Sequence, residues 1–173
     1  MTIEQHLKES LIYSDEGLRW VRGRNRKEMG LAGKCRKDGY KRVRISYEGK
    51  EHEFLEHRVV WLITHNEWPK HHLDHINGDK SDNRLSNLRE ANSSQNGANS
   101  EISKSNSSGW KGVYRRGGNF RAQIHVNRET KHLGVFTSCR EAALAYNYAA
   151  KEHFGPFAKF NGVFEDEYIS NRQ

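Results

Sequence analysis

The segment from Asp74 to Asn99 constrains this chain most, because it is rich in Asp, Asn, Ser and Gly and contains few apolar residues. A stretch of this composition cannot be held in place by a core of its own. Its presence in the middle of the chain therefore needs an explanation other than packing.

The residues before this segment predict helices and a small β-sheet. Apolar residues at helical spacing predict an opening helix over 2–11, and a second helix is expected over 56–66. Short antiparallel strands are predicted over 18–21, 39–45 and 54–55. One face of this sheet would be apolar, and the other would carry Arg42 and Arg44. That second face would either lie against DNA or face solvent.

The residues after the polar segment predict a second module. Residues 100–108 have the composition of a linker. Three strands are then expected over 112–115, 119–126 and 132–136. Ser138 and Glu141 have the spacing of a helix-capping box, and the helix that they begin should run to about Phe154, before Gly155-Pro156. The module would be a three-stranded sheet backed by one helix with an alanine-rich face.

Basic residues are concentrated in two patches. The chain has 29 Lys and Arg against 22 Asp and Glu, a net charge of +7 with His neutral. Ten Lys and Arg lie between Arg22 and Arg44 against two acidic residues, and eight lie between Lys104 and Arg140 against one. Two separate patches favour two contact surfaces for a phosphate backbone, although a solvated basic surface is the alternative for charge alone.

Cysteine usage and hydropathy bear on the cellular setting. Cys35 and Cys139 are far apart and lack the spacing of a zinc site or a disulfide framework. The N-terminal residues lack an apolar signal region, and no stretch approaches the length that crosses a membrane. We expect a reducing cytoplasm and no association with a membrane.

The side chains of the polar segment indicate metal-assisted hydrolysis. A strand over 71–76 and a second over 88–90 would flank a turn at Asn77-Gly78, and Asn92 and Gln95 are spaced to cap a short helix. Asp74, His75 and Asn96 would then supply a carboxylate, an imidazole and an amide.

A nuclease needs a base to activate water and a hard cation to neutralise charge on the phosphate. His75 is the candidate base, and the oxygens of Asp74 and Asn96 suit one Mg²⁺ or Mn²⁺ ion. The alternative is that these side chains only satisfy the backbone of a loop. Asp74 and His75 can serve one site only if the strand twists or ends there, because neighbouring residues on a regular strand point to opposite faces.

Several motifs in order resemble the HNH homing endonucleases of bacteriophages and their hosts. They are Glu56-His57-Arg58-Val59-Val60-Trp61-Leu62, Glu67-Trp68-Pro69, the run Asp74–Arg84, Asn87-Leu88-Arg89-Glu90-Ala91 and Ser94-Gln95-Asn96. The resemblance covers about residues 10–99 and implies a ββα-metal finger. It further implies that His75 is the general base, that Asn87 braces the loop, and that Asp74 and Asn96 bind the metal. Many members have His at the position of Asn96.

The C-terminal half resembles the APETALA/ERF-type DNA-binding domain, which is known from plant regulators and from fusions to HNH nucleases. The similarity rests on Ser108-Gly109-Trp110-Lys111-Gly112-Val113-Tyr114, Phe120-Arg121-Ala122-Gln123-Ile124, His132-Leu133-Gly134-Val135-Phe136 and the helix with its Gly155 and Asn161. By resemblance, the residues facing DNA would be Lys111, Tyr114, Arg116, Arg121, Gln123, His125 and His132. Tyr114 and His132 depart from the Arg and Trp usual in that family, so its sequence preference does not transfer.

Together these observations predict an α+β protein with four parts. They are an HNH nuclease domain over 1–99 with its ββα-metal core at about 70–99, a linker over 100–108, an APETALA/ERF-type domain over 109–163 and a tail over 164–173.

The predicted function is metal-dependent cleavage of double-stranded DNA by a protein that is a monomer on DNA, with a dimer and either nicking or double-strand cleavage left open. The expected setting is a bacterial or phage-infected cell. The rival hypotheses are a DNA-binding regulator whose nuclease site has decayed and a protein that binds or cuts RNA; a sheet fitted to a B-form major groove disfavours the latter.

Overall fold

The computed structural model describes residues 1–22 and 27–163 and shows a mixed α+β chain. Within these residues the helices are α1 (Ile3–Ser10), α2 (Glu56–His65), α3 (Ser93–Asn99) and α4 (Cys139–Phe154), with short 3₁₀ turns at Leu85–Asn87 and Gly155–Phe157. Arg24 and Arg26 of the first basic patch and the predicted tail over 164–173 lie outside the described residues.

The strands form small antiparallel sheets. They are β1 (Leu11–Ser14), β2 (Gly17–Arg22), β3 (Lys27–Leu31), β4 (Lys34–Cys35), β5 (Lys41–Tyr47), β6 (Lys50–Leu55), β7 (His72–His75), β8 (Leu88–Ala91), β9 (Val113–Arg116), β10 (Asn119–Val126) and β11 (Glu129–Phe136). Their orders are β1-β2-β3, β4-β5-β6, β7-β8 and β11-β10-β9. The chain divides into two compact units, Met1–Ala91 and Asn92–Gln173.

The first unit contains two three-stranded sheets and the β7-β8 hairpin, where the sequence predicted one small sheet with its helix. Its core packs α1 and α2 against strands of both sheets through Leu7, Leu18, Val43 and Val59. The predicted helix over 2–11 is confirmed but ends at Ser10, because Leu11 already belongs to β1. Leu11 is buried in the same core, so the apolar spacing that suggested one more helical residue serves a strand instead.

The second unit is a three-stranded sheet packed on α4, as predicted, and it also contains α3. Ala122 and Ile124 of β10 are buried against α4 through Ala142 and Tyr146. The side chain of Ser138 accepts a hydrogen bond from the Glu141 N–H and begins α4. Helix α3 begins with the predicted capping box of Asn92 and Gln95.

Helix α3 belongs to the core of the second unit through Ala98, which is buried in the cluster of Ile124, Tyr146 and Phe154. The backbone N–H of Lys159 also donates to the Ala98 carbonyl at 3.1 Å. The compact unit therefore begins before α3, whereas the boundary suggested by composition lies at 100–108.

No helix within the described residues has both the length and the apolar character needed to cross a bilayer.

Candidate active site

His75 is the last residue of β7 and is buried, with 5% of its surface exposed, as is Asp74. Asp74 pairs in register with Arg89, and His75 pairs with Leu88. Beyond His75 the chain turns, and the Gly78 N–H donates to the His75 carbonyl at 2.8 Å. The strand therefore ends at His75, which is one of the two arrangements that would let Asp74 and His75 serve one site.

The carboxylate of Asp74 is fixed by Arg89 on the neighbouring strand. Its Oδ2 accepts from Arg89 Nε at 2.9 Å and from Arg89 Nη2 at 2.8 Å. A guanidinium group that donates twice to one carboxylate fixes its orientation as well as its charge. The Asp74 side chain is thus positioned by the β7-β8 hairpin itself.

The imidazole of His75 is held by a chain of buried side chains. His75 Nε2 lies 2.9 Å from Asn83 Oδ1, and Asn83 Nδ2 donates to Glu56 Oε2 at 3.1 Å. Because the amide of Asn83 donates to the carboxyl group, its oxygen must face the imidazole and accept. A neutral His75 therefore carries its proton on Nε2 and its lone pair on Nδ1, the arrangement that a proton acceptor needs.

Glu56 is placed by the first unit's fold rather than by its neighbours in sequence. It begins α2, is 2% exposed, and its Oε1 accepts from the Leu18 N–H at 3.1 Å. A Cβ atom at Gly33 would lie 2.2 Å from Glu56 Oε2, so only glycine leaves room for the carboxyl group there. Contacts from several elements thus fix the Glu56 carboxyl group, which orients Asn83 and, through it, His75.

Asn87 braces the loop that follows His75. Its Oδ1 accepts from the Asn77 N–H at 3.0 Å, while its Nδ2 donates to Asn77 Oδ1 at 3.0 Å and to the Asp82 carbonyl at 2.8 Å. These contacts cross-link both ends of the loop. The side chain of Asn87 thus contacts the backbone at both Asn77 and Asp82 of this loop.

A second buried histidine lies beside the first. The ring of His57 is 5.1 Å from that of His75, centroid to centroid, and the Tyr40 ring lies 5.5 Å from His57 and 6.1 Å from His75. Burial, and then the proximity of His75, lowers the pKa of His57 to about 4. Its Nδ1 is buried and has no hydrogen-bond partner among the described residues. His57 is therefore neutral near pH 7.

The predicted ligand pair has the right chemistry for a hard cation, since it offers one carboxylate and one amide oxygen. Asp74 is the buried carboxylate described above, and Asn96 is an exposed residue of α3. Among the residues that the structure describes, no three His, Cys, Asp or Glu side chains cluster so as to hold a metal ion.

Six of the seven residues of the second unit that were predicted to face DNA share one face of its sheet. Ala122 and Ile124 point toward α4, so the alternate positions of β10 point away from it. Register places Tyr114 opposite Arg121 and His132 opposite Gln123, and the Arg121 guanidinium lies 5.8 Å from the Tyr114 ring centre. The residues on this face are Tyr114, Arg116, Arg121, Gln123, His125 and His132.

Lys111 has a different position. Its ammonium donates to the carbonyls of Gly97, Ala98 and Ser100 at the end of α3, at 3.4 Å from Gly97 and 2.6 Å from Ser100. Burial, and then the charge of Lys159, lowers the pKa of Lys111 to about 8. The structure thus places Lys111 as a C-terminal cap for α3.

A cavity of about 390 Å³ lies within the second unit. Its lining includes Ser93, Lys111, Tyr114, Gln123, His125 and Arg128. Residues predicted to face DNA therefore surround a concave and basic part of this unit.

Sequence reasoning singled out neither Asn83 nor Glu56 nor His57 as a functional residue, although all three lie in the motifs that carried the resemblance. Both Glu56 and His57 are buried although their residue types are seldom found in a core. The sequence signal for a functional role was a charged residue followed by histidine, Glu56-His57, at the start of an apolar helix.

Residues 54–98 match a family model described as HNH endonuclease. An uncharacterized HNH endonuclease of Acanthamoeba polyphaga mimivirus is 36% identical over 110 residues, which cover 62% of this chain and 57% of the viral protein. The chain thus spans little more than half the length of that relative. No solved structure matches this chain.

Proposed function

We propose that this protein is a metal-dependent DNA endonuclease of the HNH type. The observation that supports it best is the buried His75, which lies inside the matched segment and is oriented through Asn83 and Glu56 so that Nδ1 bears the lone pair. A histidine held in this way is prepared to take a proton.

In the proposed reaction, His75 Nδ1 accepts a proton from a water molecule as the oxygen attacks phosphorus in line with the leaving 3′ oxygen. The P–O3′ bond breaks, the departing O3′ takes a proton from solvent water, and the products are a 5′-phosphate and a 3′-hydroxyl. The bond from Nε2 to Asn83 keeps the ring in place while it gains positive charge. Asn87 holds the loop beside it.

Asp74 and Asn96 are the proposed ligands of one Mg²⁺ or Mn²⁺ ion. Such an ion would neutralise charge on the phosphate and on the departing oxygen. The Arg89 guanidinium fixes the Asp74 carboxylate for this role.

Double-stranded DNA is the proposed substrate, bound by both units of a monomer. Arg42 and Arg44 would contact it from the first unit. In the second unit, which we propose is an APETALA/ERF-type domain, the face with Arg121 and Gln123 would contact base edges and phosphates. The arrangement of six predicted residues on one sheet face supports this part of the proposal.

The test is cleavage of supercoiled plasmid and of genomic fragments from a candidate host. We expect nicked or linear DNA with Mg²⁺ or Mn²⁺, no product with EDTA, and recovery when the metal is restored. The new ends should carry 5′-phosphates and therefore be substrates for ligation. Equal cleavage with EDTA, or 3′-phosphate ends, would contradict the proposed chemistry.

A further inference from the structure

Three arginines of the first unit converge on one glutamate. Glu53 Oε2 accepts from Arg36 Nη2 at 2.5 Å and from Arg44 Nε at 2.7 Å, and Glu53 Oε1 accepts from Arg42 Nη1 at 3.2 Å. Arg42 Nη2 also donates to Asp38 Oδ2 at 2.6 Å. We call the group formed by Arg36, Arg42, Arg44 and Glu53 the arginine cluster.

The strands bring the cluster together. Arg44 and Glu53 are directly opposite each other on β5 and β6, and Arg42 lies two residues earlier on the same face of β5. Arg36 follows β4 and is fixed by backbone hydrogen bonds with Gly39 and Tyr40 at 2.9 Å. The three guanidinium groups are thus held by a sheet and a tight turn rather than by a flexible loop.

The cluster keeps a positive charge and spare donors. Three guanidinium groups face Glu53 and Asp38, which leaves one excess positive charge. The hydrogen bonds to these carboxylates use one nitrogen each of Arg36 and Arg44, and each guanidinium has five N–H donors. The side chain of Arg44 is 62% exposed and that of Arg36 is 41% exposed, so a ligand can reach them.

The Glu53 carboxylate indicates the kind of anion that these three guanidinium groups can bind. Hydrogen bonds from Arg44, then Arg36 and Arg42, lower the pKa of Glu53 to about 2. An anion with two oxygens facing three guanidinium groups has the geometry of the two non-bridging oxygens of a phosphodiester.

A series of contacts connects the cluster to His75, beginning at Asp38, which Arg42 binds. Asp38 Oδ1 accepts from the Tyr40 N–H at 3.1 Å, and the Tyr40 ring lies 6.1 Å from the His75 ring. Lys80 Nζ donates to the Asp38 carbonyl at 3.4 Å and lies 4.8 Å from the Tyr40 ring centre. Cationic groups therefore continue from the cluster toward the candidate base.

We propose that Arg36, Arg42 and Arg44 form a preassembled clamp for a backbone phosphate next to the one that is cut, and that Glu53 is its resident counter-ion. Glu53 keeps the guanidinium groups in register and limits their attraction for any polyanion. The proposal rests on the proposed function, adds Arg36 to the DNA contacts and gives Glu53 a part in restricting nonspecific binding.

The test measures binding of the full chain to a short random-sequence duplex in EDTA over a range of salt concentrations. Arg36→Ala should weaken binding by about threefold to tenfold and reduce the slope of log K against log salt by about one. Lys37→Ala removes the same charge from the next, exposed residue and should change binding less. Equal effects of the two substitutions would overturn the clamp.

The counter-ion is tested by Glu53→Gln against Glu51→Gln, which makes the same charge change on the same strand outside the cluster. We expect Glu53→Gln to tighten binding by about threefold to tenfold and Glu51→Gln to have a smaller effect. Unchanged or weaker binding by Glu53→Gln would overturn this role. If the wild type binds and cuts but the paired variants do not differ, only the cluster proposal fails; if the wild type neither binds nor cuts DNA, the proposed function itself fails.

Discussion

Asn83 is the residue that determines which nitrogen of a neutral His75 holds the proton. Its amide is oriented by Glu56, so its oxygen faces His75 Nε2. The basic atom is thereby selected through contacts that begin on α2.

We predict that Asn83→Ala lowers kcat by about 10-fold to 100-fold and leaves KM within about twofold, because the substitution affects the ring's orientation rather than DNA binding. In a His75→Ala background the same substitution should cause no further loss. Steady-state cleavage of the single and double variants measures this. Multiplicative losses would show that Asn83 acts independently of His75.

The lowered pKa of the buried His57 should make the stability of the protein depend on pH. Its pKa is about 4 in the folded chain, below the ordinary value of 6.5, so the unfolded chain takes up this proton at a higher pH than the folded chain does. The free energy of unfolding should therefore fall by up to about 3 kcal/mol as the pH drops from about 6.5 to about 4. The pKa values of Glu53 and Asp82 are lowered to about 2, so protonation of these two carboxylates lowers the free energy of unfolding further below about pH 4.5.

Denaturant titrations across this pH range should distinguish wild type from His57→Gln, which has no imidazole to protonate. The variant should lack the decline between about pH 6.5 and about pH 4.5. Parallel curves for the two proteins would contradict a buried neutral His57.

At the scale of elements, close packing between β9, β10 and α4 depends on Gly112. Its φ is +72°, and a Cβ atom there would lie 2.1 Å from the Tyr146 ring and 2.6 Å from the Gln123 carbonyl oxygen. Gly118, in the turn between β9 and β10, has open space around the same position. The two glycines form a matched pair for a stability test.

We predict that Gly112→Ala lowers the free energy of unfolding by about 2 to 4 kcal/mol, from the strained backbone together with overpacking. Gly118→Ala should change it by less than about 0.5 kcal/mol. Chemical denaturation measures both. Equal stabilities would mean that α4 does not approach β10 as closely as described.

The elements also show how far sequence reasoning reaches. Local signals predicted α3 from Asn92 and Gln95 and the start of α4 from Ser138, because caps are made within one turn of helix. The separation of the first unit into two sheets was missed because β3 and β4, which pair with their neighbours in sequence, were not predicted as strands. His75 could be singled out from its neighbours, whereas its link through Asn83 to Glu56 could not, because Asn83 and Glu56 are 27 residues apart.

In the molecule as a whole, we propose that His75 cuts DNA and that the sheet face of the second unit supplies much of the binding. Arg121→Ala should weaken binding to duplex DNA by about threefold to tenfold and reduce its salt dependence, because the proposed phosphate contact would be lost. His75→Ala should bind as the wild type does. Competition binding at two salt concentrations measures this, and loss of binding in His75→Ala would contradict the division of roles.

A cleavage assay of His75→Ala tests the proposal that His75 is the general base of a DNA endonuclease. With Mg²⁺ or Mn²⁺ and a DNA library that the wild type cuts, we expect His75→Ala to lose about 10²-fold to 10⁴-fold in rate and to bind DNA as the wild type does. Undiminished cleavage by the variant would contradict the claim, and binding without cutting by the wild type itself would favour a DNA-binding regulator.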